Sequence, residues 1–325
     1  MPNEADDNQA NVQLALSCWF LTGATASGKS QTSLFLAERL NAEIISLDSM
    51  AIYRGMDIGT AKPGVAEQAR VRHHLIDVVD PTTQFSVSQY RDAALDKIRE
   101  IQSTGKQVLF VGGTALYLKA LLRGLFDGPP ADWDFRKQVE SEIAEGGVGL
   151  LHQRLEMVDP VAASNLHPND HRRIIRALEV YKTTGKPISH LQMEFDEGRD
   201  FQDCRVFTIR HDRPVLHERI ERRVESMFEV GLVEEVQGLL ETWTSLGHTA
   251  SQAVGYREVI DFITGVKSEP EMVEQVKIRT RRFARHQETW FRGMSECEII
   301  DLDKDFEPEQ LSDLIFEKGQ TRAVS

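Results

Sequence analysis

Cysteine and long apolar runs are both scarce in this sequence, and each shortage excludes a class of protein. The 325 residues carry three cysteines, Cys18, Cys204 and Cys297, far apart and with no C-x-x-C pair. That spacing supports neither a disulfide framework nor a thiolate zinc cluster, so reduced, mostly buried thiols are expected. The longest nearly apolar stretch, Val12 to Leu21, is broken by Gln13 and Ser17 and runs into a glycine loop. A bilayer span needs about 20 apolar residues, so this stretch is expected to be a buried strand and no membrane attachment is expected. Before it, Glu4, Asp6 and Asp7 stand where a secretory leader would carry basic and then apolar residues. A frayed acidic tail on a cytoplasmic protein is the expectation. Internal repeats and low-complexity segments are absent too.

Positive charge is in the minority, with a net charge of −13, which counts against a nucleic-acid partner because phosphate backbones bind cationic surface. Its distribution reverses that inference. Residues 277–292, KIRTRRFARHQETWFR, hold six Lys or Arg against one Glu, and Arg172, Arg173 and Arg176 form a second cluster. Singly, each of these arginines is as well explained by a solvated helix face paired with the abundant carboxylates.

The strongest local signal is Gly23-Ala24-Thr25-Ala26-Ser27-Gly28-Lys29-Ser30, the G-x-x-x-x-G-K-S spacing of a phosphate-binding P-loop and ATP-binding motif. It follows an apolar run and precedes Leu34, Ala37 and Leu40 at helical spacing. In such a loop the backbone amides and the helix N-terminus cradle phosphate oxygens, Lys29 adds a point charge, and Ser30 is placed to ligate Mg2+. Short apolar runs at Glu43–Leu47, ending at Asp48, and at Gln107–Val111, ending at Gly112-Gly113-Thr114 and followed by an apolar helix to Leu122, predict a P-loop NTPase-like α/β fold, a parallel sheet flanked by helices. The loops at 23–30, 48–60 and 112–114 then meet beyond the carboxyl ends of the strands. Asp127-Gly128-Pro129-Pro130 is a strong turn signal, and the charged, helix-patterned stretch behind it predicts an inserted helical domain over 127–200, with residues 1–126 and 201–325 forming the catalytic core. Strand character returns at Asp203–Arg210. A long helical stretch with a break at Gly231 follows over Pro214–Leu240, and a basic helix over Pro270–Arg292.

The loop does not name its phosphate compound; kinases, nucleotide hydrolases and diphosphate-donor transferases all use one. Asp48, after Ile44-Ile45-Ser46-Leu47, falls at a strand end facing the loop. There it could hold magnesium, act as a general base, or simply close a turn. The run Val108–Val111 ends in Gly-Gly-Thr, so a kinase would lack a second evident magnesium carboxylate. His73 and His74, and His167 and His171, have no third ligand at metal spacing and are expected in capping or core roles. Trp290 is expected in the core.

Several longer segments, from residue 23 to 292 and in one order, resemble the tRNA isopentenyltransferase family, the bacterial tRNA dimethylallyltransferases. They are Leu47-Asp48-Ser49-Met50-Ala51-Ile52-Tyr53-Arg54-Gly55-Met56-Asp57-Ile58-Gly59-Thr60-Ala61-Lys62-Pro63, His73-His74-Leu75-Ile76-Asp77, Gly112-Gly113-Thr114-Ala115-Leu116-Tyr117, His167-Pro168-Asn169-Asp170 with Arg176-Ala177-Leu178-Glu179-Val180, Val254-Gly255-Tyr256-Arg257, and Gln287-Glu288-Thr289-Trp290-Phe291-Arg292. The resemblance implies transfer of a dimethylallyl group from dimethylallyl diphosphate to N6 of the adenine 3′ of the anticodon, position 37, in tRNAs reading codons that begin with U. It implies that the loop grips the departing diphosphate, with Thr25 and Arg223 against the donor, and that Asp48 is the base for the acceptor amine. It places Asp48, Ser49, Met50, Ala51 and Thr114 among the tRNA-binding residues, with Ser49 and Thr114 near the acceptor base. Further tRNA contacts are implied at Arg172, Arg173, Arg176, Gln252, Gly255, Tyr256, Arg257, Arg285, Gln287 and Arg292. His286 departs from the pattern, standing where the family suggests another arginine. A monomer is expected. The rival functions are an adenylate isopentenyltransferase, a P-loop small-molecule kinase, and an RNA-binding switch driven by nucleotide. The first of these would have little use for the 127–200 insert or the basic stretch.

Overall fold

The computed structural model describes residues 4–124, 128–129, 131–146, 148–191 and 204–322. The chain forms two compact units, one of Met1–Leu122 with Asp200–Ser325 and one of Arg123–Arg199.

The first unit is built on six strands: β1 (Trp19–Gly23), β2 (Ala42–Leu47), β3 (His73–His74), β4 (Gln107–Gly112), β5 (Arg205–His211) and β6 (Cys297–Leu302). They lie in the order β3-β2-β4-β1-β5-β6, and every pair is parallel. β1 and β2 are buried along their whole length, as expected where helices cover both faces of a parallel sheet. Alternation along each strand divides the core. Phe20, Ile45, Leu47, Phe110 and Val206 point to one face, and Trp19, Leu21, Ile44, Leu109, Phe207 and Ile209 to the other.

Helices α1 (Glu4–Leu16), α2 (Lys29–Leu40), α3 (Val65–Arg70), α4 (Val87–Ser103) and α5 (Ala115–Arg123) precede the second unit. That unit contains α6 (Trp133–Gly146), α7 (Val148–Val158), α8 (Pro160–Asn165) and α9 (His171–Thr184), closed over Val139, Leu155 and Ile174. Back in the first unit come α10 (Arg213–Val230), α11 (Leu232–Trp243), α12 (His248–Ser251), α13 (Tyr256–Ile263), α14 (Glu269–Arg292) and α15 (Pro308–Gln320). Gly231, with φ at 111°, separates α10 from α11 where the sequence predicts a break. No helix among the described residues is long and apolar enough to cross a membrane.

Two expectations fail at the amino end. The stretch Val12–Leu21 is not one strand: α1 runs to Leu16 and β1 begins at Trp19. Val12 and Ala15, three apart, are buried, so the apolar residues there serve a helix face packed beside α4. Nor is the acidic segment wholly a tail, since residues from Glu4 onward belong to α1.

Candidate active site

β1 ends at Gly23 and α2 starts at Lys29, so the P-loop is the turn between them, with Gly28 as N-cap at φ 97°. A left-handed residue there favours glycine. The loop's carbonyls are held from the surrounding elements. Lys29 Nζ donates to Gly23 O at 2.9 Å and Ala24 O at 2.5 Å. From α10, Arg219 Nε donates to Ala26 O at 2.7 Å, fixing a residue with φ at 63°. At the end of β5, His211 Nε2 donates to Ser27 O at 2.9 Å. On the other side, Thr25 N donates to Gln287 Oε1 of α14 at 2.8 Å. With those groups engaged, the first-turn amides of α2, which have no intrahelical acceptor, form an anion site.

Beside the loop lies a cavity of about 470 Å³ lined by residues 26–31 with Arg219, Arg222 and Arg223. Four cations therefore border it, Lys29 included. Burial pulls the Lys29 ammonium down to about 7, the neighbouring Arg223 charge pulls the same way, and Asp48 opposes them. Arg223 is likewise lowered by burial, with Asp48 working against the loss of its charge. A half-buried pair of cations with one carboxylate near is arranged for a multiply charged anion.

Asp48 follows β2. Its Oδ1 accepts from Met50 N at 2.8 Å and Ala51 N at 3.3 Å, which closes the turn and fixes the carboxyl group. The Gly112-Gly113-Thr114 turn packs against the same place: Thr114 N donates to Leu47 O at 3.1 Å and Ser49 N to Thr114 Oγ1 at 3.1 Å. Beneath it, Tyr90 donates to Ser46 O at 2.8 Å and stacks on Tyr117 with ring centroids 3.8 Å apart.

The structure therefore gathers the loop 23–30, Asp48, Ser49, Met50, Ala51, Thr114, Arg223 and Gln287 around one end of the sheet. Arg285 and Arg292 lie on the exposed face of α14. Trp290 is not in the core as expected: it stands on α14 with 46% of its surface exposed. Tyr256 is the reverse, fully buried, its hydroxyl donating to Glu235 at 2.6 Å, so its ring serves the interior in this conformation. Gly255 N is taken by Glu258, and Arg257 donates to Gln252 Oε1 at 2.9 Å. In the second unit Arg172 is exposed, Arg173 pairs with Asp170 at 2.9 Å, and Arg176 pairs with Glu179, a fully buried carboxylate also held by Arg136. Arg219 and Arg222 escaped the sequence reading. The usable signal was Arg219 lying one helical turn before Arg223.

A family model described as IPP transferase matches residues 51–294. The tRNA dimethylallyltransferase of Rhodopirellula baltica is 50% identical over 284 residues, covering 85% of each chain. That of Geobacter sulfurreducens is 44% identical over 300 residues, covering 92% of this chain and 96% of its own. Among solved structures, the tRNA isopentenylpyrophosphate transferase of Bacillus halodurans superposes with a TM-score of 0.67 at 38% identity, covering 94% of this chain and 98% of its own. A eukaryotic dimethylallyltransferase acting on tRNA gives a TM-score of 0.71 at 27% identity, covering 94% and 77%.

Proposed function

The chain belongs to the IPP transferase family, and from that premise we propose that it transfers the dimethylallyl group of dimethylallyl diphosphate to N6 of adenine 37 in tRNAs reading codons that begin with U. The observation that carries this reading is the pairing of the P-loop cavity, bordered by Lys29 and Arg223, with a carboxylate, Asp48, whose charge bears on both cations. One side suits a departing diphosphate and the other an incoming amine.

The roles follow from the chemistry. As the allylic C1–O bond breaks, negative charge grows on the diphosphate, where the α2 amides, Lys29 and Arg223 stabilise it. N6 bonds to C1, and the proton it sheds passes to the Asp48 carboxylate, because an exocyclic adenine amine is a poor nucleophile until its proton is accepted. Thr25 lies along the donor; Ser49, Met50 and Thr114 line the place for an adenine turned out of its stack. Arg172, Arg173 and Arg176, then Gln252 and Arg257, then Arg285 and Arg292, supply phosphate contacts on the RNA.

Mg2+ fits this site as a partner of the donor. Among the described residues no three His, Cys, Asp or Glu side chains gather as a metal site, whereas the exposed Ser30 at the head of α2 would share an ion with diphosphate oxygens, the usual habit of magnesium. Bound there, the ion would offset charge on the leaving group.

The test is to incubate the protein with labelled dimethylallyl diphosphate and, separately, total tRNA, AMP and ATP. Label is expected in tRNA alone, on the adenine beside the anticodon. Label on AMP or ATP without tRNA, or nucleotide hydrolysis without prenyl transfer, would refute the proposal.

A further inference from the structure

Gln287 is a polar side chain in the middle of a basic stretch, yet only 7% of its surface is exposed. Both ends of its amide are used inside the protein. Oε1 accepts from Thr25 N of the P-loop at 2.8 Å, and Nε2 donates to Gly113 O at 2.9 Å. The fit is close, since a Cβ built on Gly113 would come within 2.1 Å of Nε2. On its far side the same turn is pressed against the acceptor side: a Cβ on Gly112 would meet Leu47 O at 2.1 Å, and Thr114 bonds Leu47 O and Ser49 N on either side of Asp48. A continuous set of hydrogen bonds thus runs from the diphosphate loop through one buried amide to the turn that carries the base.

We infer that Gln287 is a positioning residue that sets the separation of the diphosphate loop and the Asp48 turn, and that it makes no direct contact with RNA. This rests on the proposed transfer reaction. Such a reaction needs donor carbon, acceptor nitrogen and base in one geometry, and a displacement of about 1 Å costs on the order of 100-fold in rate. Neither reactant has to touch Gln287 for its loss to be felt.

The variant Gln287→Glu separates the two bonds. A carboxylate still accepts from Thr25 N, but it sets an oxygen against Gly113 O and repels the turn. Gly113→Ala reaches the same end from the other side, its methyl displacing Nε2. Three quantities are measured: the Kd of inorganic diphosphate by calorimetry, the Kd of an anticodon stem-loop RNA, and the single-turnover rate with both substrates saturating. In Gly113→Ala both Kd values are expected within about threefold of wild type while the rate falls by about 10- to 100-fold. Gln287→Glu, which adds a negative charge beside the anion loop, is read on the stem-loop Kd, unchanged, and on the rate, lowered to the same extent.

A rate within threefold of wild type overturns the inference. So does a loss confined to RNA affinity, which makes Gln287 an RNA contact, or a diphosphate affinity that falls in step with the rate in the charge-neutral Gly113→Ala, which makes the bond part of the anion site alone. Should Gln287→Glu be unfolded by circular dichroism, Gly113→Ala decides. A wild-type protein that transfers nothing to RNA refutes the functional reading and this role with it, whereas an active wild type matched by both variants refutes this role alone.

Discussion

In the empty loop Lys29 is expected to titrate near 7, because burial and the Arg223 charge both disfavour its ammonium and outweigh Asp48. The sign follows directly. Above pH 7 the empty loop holds a neutral amine, and a bound diphosphate, being negative, draws a proton back. Binding is therefore coupled to proton uptake, and the Kd of inorganic diphosphate should rise about tenfold per pH unit above 7, equivalent to about 1.4 kcal/mol per unit. Below 7 it should be independent of this group. At pH 8 the uptake should be about nine-tenths of a proton, read by calorimetry in two buffers of different ionisation enthalpy. Lys29→Arg is the control, since a guanidinium stays charged and should remove the break near pH 7. Arg223→Gln removes one of the two causes and should move the break upward, though short of an ordinary lysine, because burial is the larger cause. An identical pH profile in wild type and Lys29→Arg, or a downward shift in Arg223→Gln, would refute the assignment.

Asp48→Asn keeps an oxygen for the Met50 and Ala51 amides but cannot take a proton; single-turnover transfer should fall by about 10²- to 10⁴-fold with the circular dichroism spectrum unchanged, and a near wild-type rate would exclude the base role. Arg172→Ala should weaken tRNA binding and lower the slope of log Kd against log salt by about 0.7 to 0.9 at unchanged Tm, and a salt-independent loss would count against a phosphate contact. Arg176→Ala also removes a partner of the buried Glu179, so it should lower Tm as well. Tyr256→Phe withdraws the hydroxyl from Glu235, whose carboxylate also accepts from Asp57 N and Ile58 N; a loss of about 1–3 kcal/mol is expected in denaturant unfolding, and an unchanged midpoint would show that the loop at 57–59 does not depend on it.

The parts legible in the sequence are those whose cause is local. P-loop spacing, β2 and β4, and the break at Gly231 all depend on residues within a few positions of one another, and the parallel α/β fold followed from their alternation. Val12–Leu16 differ from expectation because a short apolar run gives no period by which to tell a buried helix face from a strand. β6 passed unnoticed, since Glu298 and Asp301 interrupt the apolar residues of this edge strand. Within the site, Asp48 was visible as an acid at a strand end but its role was not. Arg219, His211 and Gln287 reach the loop from 184 to 262 positions away, a relation no local pattern encodes. The habit of its residue type predicts Trp290 in the core but says nothing of the helix face on which it sits.

The P-loop strand is finished by elements far downstream of it, β6 and α15. Trp19 stacks on Phe316 with ring centroids 6.3 Å apart, and Gly319 lies so close that a Cβ there would stand 2.0 Å from the indole; β5 gains its outer neighbour only when residues 297–302 arrive. During synthesis the nascent chain therefore exposes Trp19, Phe207 and Ile209 until nearly 300 residues later than the first of them. Truncation within α15 should accordingly be felt as poor yield and chaperone dependence, however complete the loop and its cavity remain on paper.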